Sequence, residues 1–258
     1  MAAQVPIPEP SDTISFMTIL ADVLRLPEET LAMAFMYMNR YRKYYRTTEE
    51  IDFLDAHTLA LASLSLSSKG TESPRRLREF LLPAYRLLHG SNPHAHPLTF
   101  PSELYDSLRA TIVQAELMLL RVLKFELRIP LPFEFLPRYL DRTVGELNVG
   151  GGGWLGTEDY DGMGKEQRDE YKVARLMETG IARACKAEIV TALQSYQLAN
   201  YFPARTIAAA CLYVTLREKG LRVTQSVGSW LEEVTGGRVD AGDFHDVVAE
   251  LEQNKAGR

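Results

Sequence analysis

Cysteine is nearly absent from this sequence, since its 258 residues contain only Cys185 and Cys211. So small a number argues against a fold that is held together by a framework of disulfides. Cys211 lies in the apolar run from Ile207 to Leu216, where a reduced and buried thiol is expected. The cysteines therefore favour a protein that works in a reducing compartment.

Long hydrophobic runs and an excess of positive charge are also missing. No apolar stretch reaches the length of about 18 residues that a membrane-spanning helix needs, and the N-terminus lacks the pattern of a signal peptide. The net charge is −5, from 34 acidic and 29 basic residues, so no chain-wide basic surface for DNA or RNA is expected. We expect an intracellular, soluble protein without direct nucleic-acid or membrane contacts.

The hydrophobic residues that make up 46% of the sequence recur at helical spacing, with no convincing strand pattern. The clearest amphipathic segment runs from about Ser102 to Leu123. Its apolar stripe consists of Leu104, Leu108, Ile112, Ala115, Leu119 and Val122. Together the segments of this kind predict an all-α fold of about ten helices.

Two predicted helices are built largely from small residues, one containing residues 59–66 (LALASLSL) and the other residues 206–215 (TIAAACLYVT). A helix of small residues admits close neighbours on all sides, so each is expected at the centre of a five-helix unit. The predicted organisation is an irregular arm at 1–11, a first repeat at 12–128 and a second repeat at 129–254, with a flexible glycine-rich insertion at about 144–165.

Two further helix starts are predicted in the first repeat. The small-residue helix is expected to begin at about Ile51, and Ser73 followed by Pro74 is interpreted as the N-terminal cap of the next helix. The run Ser73-Pro-Arg-Arg also has the form of a site for a proline-directed kinase. The helix cap is the preferred interpretation of the two.

Several stretches of the sequence resemble the cyclin family, in which two five-helix repeats follow each other and the first binds a protein kinase. The stretches that carry this resemblance are 26–34 (LPEETLAMA), 55–69, 71–80 (TESPRRLREF), 112–127 and 202–213. One departure follows Lys69, where this chain has Gly70, Thr71 and Glu72 instead of an apolar residue and two acids. A second is the absence of the arginine-containing motif that cell-cycle cyclins carry in their first helix.

Within that family the chain resembles the transcription-type members. Residues 26–32 and 112–125 are most similar to cyclin Q, the partner of the tenth cyclin-dependent kinase, and L-type cyclins come next. The resemblance implies a non-catalytic subunit that forms a heterodimer with a cyclin-dependent kinase and activates it. It also implies a nuclear location and no cofactor.

Glu116 is the centre of the candidate site, because its helical neighbours three and four positions away are all apolar. The resemblance implies that Glu116 and Lys69 reach the backbone ends of the kinase's regulatory helix. It also implies an apolar floor around them, formed by Leu66, Leu120, Phe125 and Leu127. The spacing alone favours a simpler interpretation, in which Lys69 and Glu116 form an ordinary surface ion pair within the chain.

The sequence also allows a rival function, that of a general transcription factor that shares the cyclin fold and binds promoter DNA. Such a factor needs a basic surface and usually a zinc-binding N-terminus, and the sequence indicates neither. An enzyme would need a nucleophile, a base or a metal site at suitable spacing, and none is apparent. His89, His94 and His96 lie close together in sequence but without a cysteine, so we expect no metal site there.

Overall fold

The protein is described by a computed structural model that covers residues 12–48, 50–90, 92, 96–146, 173–221, 223 and 226–256. All regular secondary structure in these residues is helical, which confirms the predicted all-α class. The chain divides into two compact units, Met1–Ile129 and Pro130–Arg258. The predicted arm and nearly all of the predicted glycine-rich insertion lie outside the described residues.

The first unit is built from five α-helices, four of which surround a central one. These are α1 (Thr13–Leu24), α2 (Glu28–Thr48), α3 (Ala56–Gly70), α4 (Leu77–His89) and α5 (Glu103–Val122). Helix α3 packs against each of the other four. Every residue of α3 from Leu59 to Ser68 is buried, as the small-residue pattern predicts. Its buried position makes α3 the support on which the surrounding helices are arranged.

Helix α3 begins later than its apolar pattern predicts. The Asp55 carboxylate accepts hydrogen bonds from the backbone N–H groups of His57 and Thr58, at 3.0 and 2.9 Å, and so caps a helix that starts at Ala56. Ile51 and Phe53 precede this cap in an irregular segment and are 72% and 76% exposed. The prediction of a start at Ile51 was wrong because these apolar residues lie on the surface.

The predicted cap of α4 is also wrong. Helix α4 begins at Leu77, and the N–H of the preceding residue, Arg76, donates to the Glu79 carboxylate at 3.1 Å. Ser73 lies three residues before that cap position and makes other contacts. By contrast, α5 begins at Glu103, close to the predicted start at about Ser102, and the Ser102 hydroxyl caps it by accepting from the N–H of Tyr105 at 3.1 Å.

The second unit is also arranged around a central helix. After a 3₁₀ turn at Pro132–Glu134 it contains α6 (Leu136–Glu146), α7 (Gly180–Ala192), the short α8 (Tyr196–Tyr201), α9 (Ala204–Glu218), α10 (Val227–Thr235) and α11 (Ala241–Ala256). Residues 173–177 are helical as well. The small-residue helix α9 packs against α6, α7, α10 and α11. The central helix α9 and these four neighbours form a second group of five helices, and the short α8 and residues 173–177 are additional to that group.

Both cysteines are free and completely buried in the second unit. Burial raises the pKa of the Cys185 thiol to about 12, and it raises that of Cys211 as well, because a thiolate would lose its hydration. Both thiols therefore stay protonated at pH 8, and the thiolate is the reactive form.

We therefore expect a disulfide reagent such as Ellman's reagent to label neither cysteine of the native chain at pH 8. In concentrated denaturant it should label both. Absorbance of the released thiolate measures the number of reacted cysteines directly. Rapid labelling of the native chain would contradict the buried positions of these residues.

Candidate functional site

Lys69 and Glu116 form an ion pair where α3 packs against α5. The Lys69 ammonium donates to both carboxylate oxygens of Glu116, with Nζ–Oε1 and Nζ–Oε2 distances of 2.8 and 2.7 Å. The Glu116 side chain is only 10% exposed, whereas that of Lys69 is 48% exposed. Charge-assisted bonds of this length are strong, and an ammonium has three donors. The pair thus neutralises the buried carboxylate and leaves donor capacity on the solvent side of Lys69.

The local sequence explains why these two residues meet. Lys69 lies in the last turn of α3, where the helix dipole favours a cation. Helix α5 packs against α3, and Glu116 lies among the buried residues Ile112, Ala115 and Leu119 of α5. The ion pair by itself is also consistent with the simpler interpretation, in which Lys69 and Glu116 only stabilise the chain internally. What the site can do therefore depends on the surface around the pair.

The two leucines predicted beside the pair differ in their exposure. Leu66 lies one turn before Lys69 on α3 and is 3% exposed, so it supports the surface from below and presents little area itself. Leu120 lies one turn after Glu116 on α5 and is partly exposed. Of these two residues, Leu120 is the one that can contact a partner directly.

Phe125 is presented on a sharp turn at the end of α5. Lys124 and Phe125 both have left-handed backbone conformations, with φ of 53° and 61°. The Phe125 N–H donates to the Leu120 carbonyl at 2.9 Å, so the turn places residue 125 beside the exposed side of α5. The Phe125 side chain is 69% exposed. A large aromatic ring held at the surface in a strained conformation is typical of a protein-binding position.

Leu127 is fixed by a contact that sequence analysis missed. The Tyr37 hydroxyl, which belongs to a completely buried residue of α2, donates to the Leu127 carbonyl at 2.7 Å. Burial raises the pKa of Tyr37 to about 12, so its hydroxyl remains a donor at neutral pH. This bond ties the segment that follows α5 to the interior of the unit.

Gly70 makes room for that bond. A Cβ atom at position 70 would lie 2.9 Å from the Tyr37 hydroxyl oxygen and 3.8 Å from Leu127 Cβ. Leu127 therefore lies next to the end of α3, directly beyond Lys69. The departure from the family pattern at Gly70 thus has a steric cause, namely the close approach of Tyr37.

Two exposed residues of α5 also belong to this surface and were not predicted. Val113 and Leu117 are 39% and 50% exposed, and with Leu120 they form a stripe at helical spacing beside Glu116. The signal that could have found them is this spacing of apolar residues along α5 beside Glu116. We call the surface formed by Lys69, Glu116, Val113, Leu117, Leu120, Phe125 and Leu127 the α3–α5 face.

The α3–α5 face combines a paired charge with apolar area, which is the composition of a protein interface. Within the part of the chain that the structure describes, no three histidine, cysteine, aspartate or glutamate side chains are grouped so that they could hold a metal ion. Likewise, none of the described helices is long and apolar enough to cross a membrane. The geometry of the face suits the binding of another protein.

Comparison with known proteins matches residues 10–128 to the family described as "Cyclin, N-terminal domain". Cyclin-T1-5 of Arabidopsis thaliana is 26% identical over 123 residues, which are 46% of this chain and 21% of that protein. Cyclin-T1-3 of Oryza sativa subsp. japonica is 27% identical over 123 residues, 46% of this chain and 24% of that protein. The chain thus spans about a fifth to a quarter of the length of these relatives.

Among solved structures, one chain of the yeast RNA Pol II CTD kinase CTDK-1 complex has a similar fold. The TM-score is 0.55 at 14% identity, and the match covers 94% of this chain and 74% of that chain. The likeness therefore extends through both units, beyond the residues that match the family. Residues 10–128, most of which lie in the first unit, thus match the cyclin N-terminal domain family, and the all-α architecture of this protein is similar to that of a chain in the CTDK-1 complex.

Proposed function

We propose that this chain is a regulatory cyclin subunit that binds and activates a cyclin-dependent protein kinase through the α3–α5 face. The observation that carries the proposal is the Lys69–Glu116 pair beside the exposed Phe125, on a domain that matches the cyclin family. The pair supplies polar contacts that fix the register of a partner helix, and the apolar residues supply contact area. Residues 129–254 are proposed to be the second, cyclin-like repeat.

The proposed mechanism is a shift in the population of kinase conformations. The chain binds the conformation in which the regulatory helix of the kinase is turned inward, so that the lysine–glutamate pair of the kinase is complete. A partner that binds one conformation more tightly than another shifts the equilibrium by the difference in affinity. The chemistry takes place on the kinase, and this chain contributes no catalytic residue or cofactor.

The partner is proposed to be a kinase with a role in transcription, in the nucleus. Two names support a partner with a role in transcription. The relatives are named Cyclin-T1, and the structural neighbour is a kinase complex of the RNA Pol II CTD. The finer assignment to the cyclin Q type, and so to a kinase of the tenth type, is supported by the resemblance of residues 26–32 and 112–125.

The test is affinity purification of the tagged chain from its own cells, followed by mass spectrometry and a kinase assay. Phe125→Ala is expected to reduce the affinity for the recovered kinase by about 10-fold to 30-fold, because an exposed aromatic anchor is lost. Phe53→Ala is the matched control, since Phe53 is 76% exposed on the segment before α3 and lies outside the α3–α5 face. The control should bind like the wild type.

Two outcomes would contradict the proposal. One is recovery of promoter-bound transcription proteins without a kinase, which would favour a cyclin-fold transcription factor instead. The other is equal kinase binding by the Phe125 variant and the wild type, which would exclude the α3–α5 face as the interface.

A further inference from the structure

Ser73 is the only serine or threonine in the sequence that is followed directly by proline. The residues after it are Pro74, Arg75 and Arg76, so a proline stands at the next position and an arginine at the third. This is the pattern that proline-directed serine/threonine kinases prefer in their substrates. The structure leaves Ser73 without the helix-capping role that would otherwise explain it, because α4 begins at Leu77.

The Ser73 hydroxyl instead belongs to a cluster of three hydroxyls. Its Oγ lies 2.9 Å from Thr30 Oγ1 and 3.3 Å from Thr71 Oγ1, and the two threonine oxygens are 2.7 Å apart. Thr71 also donates to the carbonyl of Ser67 at 2.9 Å. We call Thr30, Thr71 and Ser73 the hydroxyl cluster. It joins the first turn of α2 to the segment that follows α3.

That segment begins directly after the last turn of α3, which carries Lys69 of the α3–α5 face. Helix α3 ends at Gly70, and the turn after it is held by backbone bonds from Thr71 to Ser67 and from Ser73 to Ser68, both 2.9 Å long. Thr30 is completely buried, so the cluster has no room for a phosphate on its inner side. A phosphate on Ser73 must therefore point towards solvent and separate Ser73 from Thr30.

We propose that Ser73 is a phosphorylation site for a proline-directed kinase. Its phosphate opens the hydroxyl cluster and thereby weakens the binding of the partner kinase to the α3–α5 face; this second part rests on the proposed function. In the transfer, Ser73 Oγ attacks the γ-phosphorus of ATP, the bond to the bridging oxygen of ADP breaks, and the hydroxyl proton passes to a carboxylate of the modifying kinase. The product carries close to two negative charges where a neutral hydroxyl was present.

The accessibility of the segment fits this role. Residues 73–76 form neither helix nor strand, and Arg76 has an extended backbone. Pro74 and Arg76 are exposed, whereas Ser73 itself is partly buried. A modifying kinase can therefore bind the flanking residues, while reaction at Ser73 requires local opening of the turn. Such opening removes only the few bonds described above.

The first experiment incubates the purified full chain with ATP and a purified proline-directed kinase, and maps the phosphate by mass spectrometry. We expect one phosphate on Ser73, which is lost in Ser73→Ala. Incorporation should fall about 10-fold in Arg76→Ala, while the matched control Arg75→Ala, one position away, keeps the wild-type rate. Absence of phosphate, or equal incorporation in Ser73→Ala, would overturn the proposal.

The second experiment compares the phosphorylated and unphosphorylated chains. Amide hydrogen exchange in residues 67–73 is expected to accelerate about fivefold on phosphorylation, because the turn loses its hydroxyl contacts. Affinity for the kinase recovered by the tagged chain is expected to fall about tenfold. Unchanged exchange and affinity would overturn the regulatory role. Failure of both forms to bind any kinase would instead overturn the proposed function, and the exchange data would still decide whether the cluster opens.

Discussion

Replacing Glu116 with glutamine is expected to weaken kinase binding by about 30-fold or more, which corresponds to about 2 kcal/mol or more. Glutamine keeps the size of the side chain but removes its charge, so Lys69 loses its partner inside the interface. A charge that is left unpaired in an interface reduces the binding free energy by more than the ion pair itself contributes to it. Titration of the purified kinase with each chain measures the effect.

The same change is expected to have little effect on the stability of the isolated chain. Lys69 is 48% exposed, so loss of the pair is expected to reduce the free energy of unfolding by no more than about 1 kcal/mol. Glu218→Gln is the matched control, because Glu218 pairs with Lys255 at 2.6 Å in the second unit. If both variants bind the kinase as the wild type does, the ion pair of the α3–α5 face is purely structural.

Replacing Gly70 with alanine is expected to destabilise the first unit by about 1–3 kcal/mol, although alanine is the better helix former. The new Cβ would lie 2.9 Å from the Tyr37 hydroxyl oxygen. Tyr37 has little freedom to yield, because it is completely buried and bonded to the Leu127 carbonyl. Accelerated amide exchange in α2 and α3 would report the loss.

A second substitution identifies the cause. Tyr37→Phe removes the atom that collides, so Gly70→Ala should cost less in a Tyr37→Phe background than in the wild type. Gly228→Ala is the control, since Gly228 lies in α10 and a Cβ there would meet nothing within 4 Å. That change is expected to stabilise its helix slightly. Equal costs of Gly70→Ala in both backgrounds would show that Tyr37 is not the obstacle.

The helices that sequence analysis placed correctly are those whose signals are local. Helix α5 has a serine cap at Ser102 and a continuous apolar stripe, and both lie within the helix or next to it. Helices α3 and α9 were recognised as central because small residues exclude no neighbour on any side. The start of α3 was misplaced because the exposed Ile51 and Phe53 continue the apolar pattern past the cap at Asp55.

Parts of the site depend on contacts between residues far apart in sequence. Glu116 was found because a lone carboxylate among apolar neighbours indicates a missing partner. The bond between Tyr37 and Leu127 joins residues 90 positions apart, and nothing near either of them indicates it. The same holds for Ser73, whose hydroxyl meets Thr30 across 43 positions and not the helix that follows it. The departure from the family pattern at Gly70 is likewise explained by a residue far away in sequence, Tyr37, whose hydroxyl lies beside it.

The left-handed turn at Lys124 and Phe125 also bears on how this protein can change. Glycine or asparagine adopts such a backbone at lower cost than phenylalanine does, so selection for thermal stability alone would replace Phe125. Selection for partner affinity would retain the aromatic ring. A library randomised at position 125 and sorted separately for the two properties should therefore yield different residues. Substitutions at position 125 that raise the thermal stability would therefore lower the affinity for the partner.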